Sequence, residues 1–587
     1  MSLSHMLTVI KARRAFLLLF ICAAILFVAN IGAYRQFLRA ESNLALGARM
    51  MVETNEWLLP HAPHELPLNK PPLHYWLIGI SYKVFGFNYG AARIPAALCG
   101  LGVIVLIYIL GRRLHSESVG LTAAAMLATS YSFWSFTRLA MPDMLLIFCV
   151  SAALVCWILV LTDLTTRPRT LALLGYGAAA LGFLAKGPVA IALSLLPVLL
   201  DILIARDFTK LRRLRPVSGL LVFLFIGSPY FLLVYAYDGL EPLRNFFITE
   251  NLHRFTGTVY TTQTPALFEV MTFFGNFAPW SPLLIVAACA LLPWRSFDQT
   301  TRRTLRLLLI WMILPIVLFS FSRFKLDYYL LPAMPAAALI VAHSMLRESP
   351  LSPWVRRAWF VIALTLLILL PIAIILTMRI VDVNFPDTQL RWLPHMTAMI
   401  TFLAVVVLIV RRWTHRALGA IFVGLWATTL SAYMVFLPSY SRFQPAEILA
   451  AGVPSASHVY SSSRAVTWAL DLALFLPTSQ PVEHVAEDWD TRQLSHILQT
   501  DPQAVALIYE QDYEELRKAG VQLHVLAQAD AYKDNRFTLK SLLFPTHEKL
   551  YVVTRPLGSI PLTLATLGSI SIGGCLSTPW PCSHTSW

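Results

Sequence analysis

The chain has 587 residues, of which 57% are hydrophobic and only 13% charged, with a formal net charge of +14 and a mean hydropathy of +0.63. Soluble domains carry about 25% charged residues, so this chain has too little polar surface to cover a water-soluble fold. A bilayer is the expected solvent for most of it, and nucleic acid is not an expected partner, because the basic residues lie in short clusters between apolar runs with no nucleic-acid-binding motif.

The first apolar run, residues 15–34, follows "KARR" and is long enough to span a bilayer. It lacks a small-residue cleavage site and reads as a retained span with a cytoplasmic N-terminus. Further candidate spans cover 91–110, 120–136, 144–161, 171–185, 189–204, 219–237, 271–292, 305–321, 329–344, 358–378, 396–410 and 417–437, about thirteen in all. Alternate loops ("GRRLHSES", "TDLTTRPRT", "RDFTKLRRLRP", "WRSFDQTTRR", "RESPLSPWVRR", "RRWTHR") are basic, and with "KARR" they fall on one side, which the positive-inside rule makes cytoplasmic. The opposite loops include 36–90, "RLAMPD", "AKGP", 238–269 and "SRFKLD". Five of the seven cysteines (Cys22, Cys99, Cys149, Cys156, Cys289) lie in apolar runs and read as small buried hydrophobes.

Past Leu437 the pattern changes. "SHVYSSS", "PVEHVAED", "AVALIYE", "VQLHVLAQ" and "KLYVVTR" alternate as strands do, with short helices expected at "TRQLSHILQT" and "DYEELRKAG". The expected fold is therefore mainly α: a polytopic membrane domain over 1–438, a small α/β domain over 439–556 and an unstructured tail over 557–587 carrying Cys575 and Cys582. An odd number of spans puts the α/β domain outside the cytoplasm.

On this topology two acids, Glu41 and Asp143, stand at span ends on the face opposite the basic loops. An ionisable group at the edge of hydrocarbon is a functional candidate. Capping is the plainer alternative, since Asp143 directly precedes an apolar run. The same face carries "NKPPLHYWL", "ENLHRFTG" and "SRFKLDYYLLP", with Lys186 in "LAKGP" as a fourth cation. A single basic residue there would snorkel to lipid headgroups. Three basic–aromatic clusters break the charge bias and suit a lipid phosphate, whose charge the cations neutralise while apolar neighbours receive the chain.

The ordered series "AESNLALGARMMVETNEWLLP", "NKPPLHYWLIG", "TRLAMPDMLL", "LGFLAKGP", "ENLHRFTG", "FAPWS" and "SRFKLDYYLLP" resembles the GT-C membrane glycosyltransferases. It is nearest the bacterial branch of lipid A 4-amino-4-deoxy-L-arabinose transferases and protein O-mannosyltransferases. That resemblance implies transfer of a sugar from a polyprenyl-phosphate donor to a lipid or protein acceptor at the periplasmic face of the inner membrane. It implies catalytic roles for Asp143 and Glu41, and donor-phosphate binding by Lys70, Arg254 and Tyr329, with Lys186 a further candidate. No cofactor is required on this reading, although a divalent cation is compatible with it. Two departures stand out. The first-loop pair in relatives is usually Asp-Glu and here is Ala40-Glu41, and Asn69 stands where arabinose transferases often carry an acid. A lipid or sugar transporter and an inactive relative are the alternatives. Transporters usually hold ionisable groups at the bilayer midplane between repeated halves, a pattern not seen here.

Overall fold

Residues Asp143–Leu161 are apolar round the whole circumference, and the helix they form (α7) is correspondingly buried on all sides. A computed structural model describes residues 3–33, 37, 39–59, 68, 70–257, 264–265, 267–292, 294–346, 392–410, 414–440, 445–455, 457–462, 465–477, 482–484, 491–532 and 547–556. Before α7 come α1 (Leu3–Val28), α2 (Arg39–Thr54), α3 (Leu73–Phe85), α4 (Tyr89–Leu114), α5 (Glu117–Ala128) and α6 (Tyr131–Phe136). It is followed by α8 (Pro168–Lys186) and α9 (Pro188–Ala205). α7 packs against α4, α8 and α9, so the corner at its first residue is held from several directions.

Six described helices are long and apolar enough to cross a membrane: Tyr89–Leu114, Asp143–Leu161, Pro188–Ala205, Pro216–Asp238, Gln299–Ser320 and Asp327–Leu346. The pair Phe268–Asn276 and Ser281–Ala290 makes a seventh if counted as one span, but it is bent by 105°. The expected continuous span over 271–292 is thus broken at "FAPWS", where Pro282 enters the second helix at its N-terminus. The expected span over 120–136 is also interrupted, with α5 ending at Ala128 and α6 starting at Tyr131. Hydroxyls mark that break: Thr129 Oγ1 and Ser130 Oγ both turn back to donate to carbonyls of α5. Residues 358–378, Asn69 and the tail with Cys575 and Cys582 lie outside the described residues.

The two ends of the bundle differ in chemistry. At the far ends of α7 and α9, Lys210 reaches Asp163 at 3.1 Å and Arg303 reaches Asp207 at 3.3 Å. Asp201, fully buried, receives Arg303 at 3.1 Å and Arg306 at 2.7 Å. The loops read as basic from sequence therefore meet one another. A 19-residue helix separates them from Asp143 by roughly 28 Å, near the thickness of a bilayer core.

Small residues bring the helices into close contact. A Cβ on Gly120 would stand 2.5 Å from the Tyr108 carbonyl oxygen and 2.9 Å from the Arg112 nitrogen, so α5 lies directly on the backbone of α4. Gly175 makes similar room for the indole of Trp157, whose Nε1 donates to the Ala172 carbonyl at 3.1 Å.

The smaller unit, drawn largely from residues 445–556, holds a five-stranded sheet in the order β2-β1-β3-β5-β4. Its strands are β1 (His458–Ser461), β2 (Val482–His484), β3 (Ala504–Tyr509), β4 (His524–Tyr532) and β5 (His547–Thr554). β1 runs parallel to β2 and β3, while β5 runs antiparallel to β3 and β4. All six residues of β3 are buried. Val505, Leu507 and Tyr509 pack to one side with Trp468 and Leu472, and Ala504, Ala506 and Ile508 to the other with Leu494 and Leu516. Such burial on both faces explains why "AVALIY" lacks polar alternation.

Replacing Gly120 by Val should force α4 and α5 apart and cost about 1–3 kcal/mol. The expected result is a lower unfolding temperature for the protein in detergent. Gly275→Ala, where an added Cβ meets nothing within 4 Å, is the control.

Candidate active site

The approach to α7 is fastened before the helix begins. Arg138 donates from Nη1 to the Leu26 carbonyl and from Nη2 to the Ala29 carbonyl, both at 2.6 Å, tying the corner to the end of α1. Two residues on, the Ala140 amide donates to Glu41 Oε1 at 2.7 Å. The same oxygen accepts from Arg93 Nε at 3.1 Å, and both side chains are essentially inaccessible. Arg93 reaches the Ile31 carbonyl as well and lies over the Phe37 ring at 5.0 Å. Glu41 is thus spent on holding the corner. Its neighbour Ala40 faces the cavity instead.

Asp143 itself is not a cap. It occupies the first helical position, Pro142 precedes it, and no side-chain capping hydrogen bond is made. Oδ1 instead accepts from Lys186 Nζ at 2.5 Å, with both side chains largely buried. Oδ2 is buried and accepts no hydrogen bond among the described residues. Lys186 ends α8 and stands over the rings of Tyr329 at 5.1 Å and Tyr328 at 5.5 Å. The lysine therefore does not snorkel to lipid: a carboxylate and two ring faces hold it inward. Gly187 follows with φ of +78°, and a Cβ there would meet Phe246 Cζ at 2.5 Å. The "KGP" corner needs glycine for both reasons.

Phe246 belongs to a nine-residue π-helix, Asn245–His253. This wide helix is rare and frequent at functional sites. Within it Asn251 Nδ2 donates to the Phe246 carbonyl at 2.7 Å. Glu250 Oε2 lies 2.7 Å from Arg254 Nη2 and 3.6 Å from Lys70 Nζ, which joins "NKPPLHYWL" to "ENLHRFTG". Arg254 also lies over the Phe324 ring at 5.3 Å.

Tyr328 and Tyr329 come from a 3-10 segment, Asp327–Ala333. It is anchored at both ends, since Trp311 Nε1 donates to the Pro332 carbonyl at 2.9 Å and Asn276 Nδ2 to the Asp327 carbonyl at 2.7 Å. Asn276 in turn accepts from Ser132 Oγ at 2.8 Å. The bend at "FAPWS" and the break before α6 are thus linked to the placement of Tyr329. In the same cluster Lys325 pairs with Glu269 at 2.6 Å and does not line the cavity.

Five of the six candidates, Asp143, Lys186, Lys70, Arg254 and Tyr329, line one cavity of about 660 Å³. Its remaining walls are mostly apolar, with Leu146, Val189, Phe247, Leu252, Leu318 and Phe319 among them. Glu41, the sixth, is not among the lining residues, which leaves Asp143 and Glu250 as the acids that are. His74, in α3, is fully buried near this corner. Burial drives its pKa down to about 4 against the weaker pull of the Ala140 backbone and Asp143, so the imidazole is neutral. Glu250, Tyr328, Arg93 and Asn276 carried no assigned role in the sequence reading. Only Glu250 offered a signal, its i,i+4 spacing to Arg254.

Known proteins resemble this chain in sequence and in fold. Residues 69–232 match the family described as dolichyl-phosphate-mannose-protein mannosyltransferase. A protein of Aquifex aeolicus is 30% identical over 383 residues, which cover 65% of this chain and 73% of that one. The undecaprenyl phosphate-alpha-4-amino-4-deoxy-L-arabinose arabinosyl transferase 1 of Pseudomonas fluorescens is 30% identical over 342 residues, 57% of this chain and 60% of its own length. In fold, the chain is similar to ArnT from Cupriavidus metallidurans, solved bound to undecaprenyl phosphate. The TM-score is 0.71 at 20% identity, over 92% of this chain and 97% of that one.

Losing one partner of a buried ion pair costs about 3–5 kcal/mol. Glu41→Ala should therefore lower the unfolding temperature sharply. Ala40→Asp, which places an acid in the cavity, should leave it near wild type.

Proposed function

This chain belongs to the GT-C membrane glycosyltransferases, and from that premise we propose that it moves a sugar from a polyprenyl-phosphate donor to a lipid A-like acceptor. The observation that carries the proposal is the meeting of Asp143, Lys186, Lys70, Arg254 and Tyr329 in one cavity with apolar walls. Lys70 and Arg254 supply cations for the donor phosphate, and the Tyr329 phenol a hydrogen-bond donor. The apolar wall suits the first part of the polyprenyl chain. Asp143, with one oxygen held by Lys186 and the other unengaged by the described residues, orients the acceptor or takes its proton. As the bond from sugar to phosphate opens, negative charge grows on the phosphate oxygen, where fixed cations act most strongly.

The acceptor is the less constrained half of the reaction. The relatives named as arabinosyl transferases favour a lipid, whereas the mannosyltransferase family description favours a protein. We place the reaction at the periplasmic face of the inner membrane, because the cavity lies at the end of the bundle away from the basic loops. No divalent cation is required on this reading, since three side chains already supply positive charge.

Purified protein should transfer sugar from polyprenyl-phosphate donors, and Asp143→Asn should reduce kcat by about 10²–10⁴-fold. Full activity in that variant would remove Asp143 from the mechanism. Transfer should persist in EDTA, and its loss there with restoration by Mg²⁺ would establish a metal requirement. Mass spectrometry of outer-membrane lipids and glycoproteins from a deletion strain separates the acceptors, the expected change being a sugar missing from a lipid.

A further inference from the structure

A carboxylate stands among the cations that would receive the donor phosphate. The Glu250 side chain is 6% exposed and lies within 4 Å of both Arg254 and Lys70. Among the described residues, the charged side chains lining the cavity are Lys70, Lys186 and Arg254 against Asp143 and Glu250, a net charge of +1. A site built only for tight phosphate binding would leave Lys70 and Arg254 unopposed, because a like charge beside an anion site weakens binding in a low-dielectric cavity.

The charges of the reacting species give this carboxylate a use. A polyprenyl-phosphate sugar is a phosphodiester and carries one negative charge. During transfer the bond from the sugar's anomeric carbon to the phosphate oxygen breaks, and its electron pair stays on that oxygen. A new bond joins the anomeric carbon to the acceptor oxygen, and the proton of a hydroxyl acceptor leaves to Asp143 or water. The departing polyprenyl phosphate is then a monoester. With a second pKa of about 6, it carries close to two charges at neutral pH.

We propose that Glu250 sets the charge preference of the cavity, fitting it to a singly charged phosphodiester and weakening its hold on the doubly charged monoester left after transfer. This makes Glu250 a specificity residue that favours product release, and the inference rests on the donor-site reading above. The carboxylate is carried on the π-helix Asn245–His253, whose Phe246 packs against Gly187 of the "KGP" corner.

The test is lipid binding to full-length protein in detergent at pH 8, comparing wild type, Glu250→Gln and Glu250→Asp. The probes are undecaprenyl phosphate, a dianion, and its methyl diester, a monoanion. Removing one negative charge should help each ligand in proportion to its charge. Glu250→Gln should therefore gain on the order of tenfold for the diester and about the square of that gain for the monoester. Glu250→Asp should keep the wild-type ratio. An unchanged ratio in Glu250→Gln would overturn the proposal, as would equal weakening of both ligands, the result expected if Glu250 only holds Lys70 and Arg254 in place. Wild type that binds neither lipid would overturn the donor-site reading itself, a different outcome from binding both without discrimination by Glu250.

Discussion

A carboxylate and an ammonium group 2.5 Å apart, largely withdrawn from water at the ends of α7 and α8, are the constraint on which the site depends. Desolvating two charges is expensive, and a pair of this kind is seldom a net source of stability. It persists because its surroundings hold both partners. Glu41 and Arg138 fix the corner before Asp143, and Gly187 lets the chain turn directly after Lys186. The ring faces of Tyr328 and Tyr329 then complete the surroundings of the ammonium.

The cavity is electrostatically graded. Asp143 and Lys186 occupy one part of it and Glu250, Lys70 and Arg254 another, with Tyr329 close to Lys186. Each cation is thus paired, yet the set as a whole stays positive. Paired groups are already oriented, so little reorganisation is left for the moment of reaction. The basic cluster built round Asp201, Arg303 and Arg306 does not line this cavity. It ties α9 to Gln299–Ser320 at the other end of the bundle.

The fold separates two acids that the sequence does not. Glu41 and Asp143 look alike as lone acids at span ends, yet one is buried against Arg93 and the Ala140 amide while the other lines the cavity. Adjacent helical residues point about 100° apart, and here Ala40 lines the cavity while Glu41 turns to Arg93. The two interrupted spans have a similar cause. Hydropathy averages over a window and registers 120–136 and 271–292 as continuous, whereas hydroxyl back-bonding and the bend at "FAPWS" divide them.

What the sequence determined by itself is what local chemistry controls. Apolar runs of bilayer length, the basic character of alternate loops and the strand pattern within 439–556 each follow from neighbours along the chain. The types of residue lining the cavity were also visible, since Lys70, Lys186, Arg254, Asp143 and Tyr329 all stand in or beside loops between apolar runs. Only the tertiary structure decided which of these groups share a cavity. Lys70, Asp143, Lys186 and the Glu250–Arg254 pair come from four separate segments, and their meeting depends on how the helices pack. No periodicity in the sequence encodes that packing.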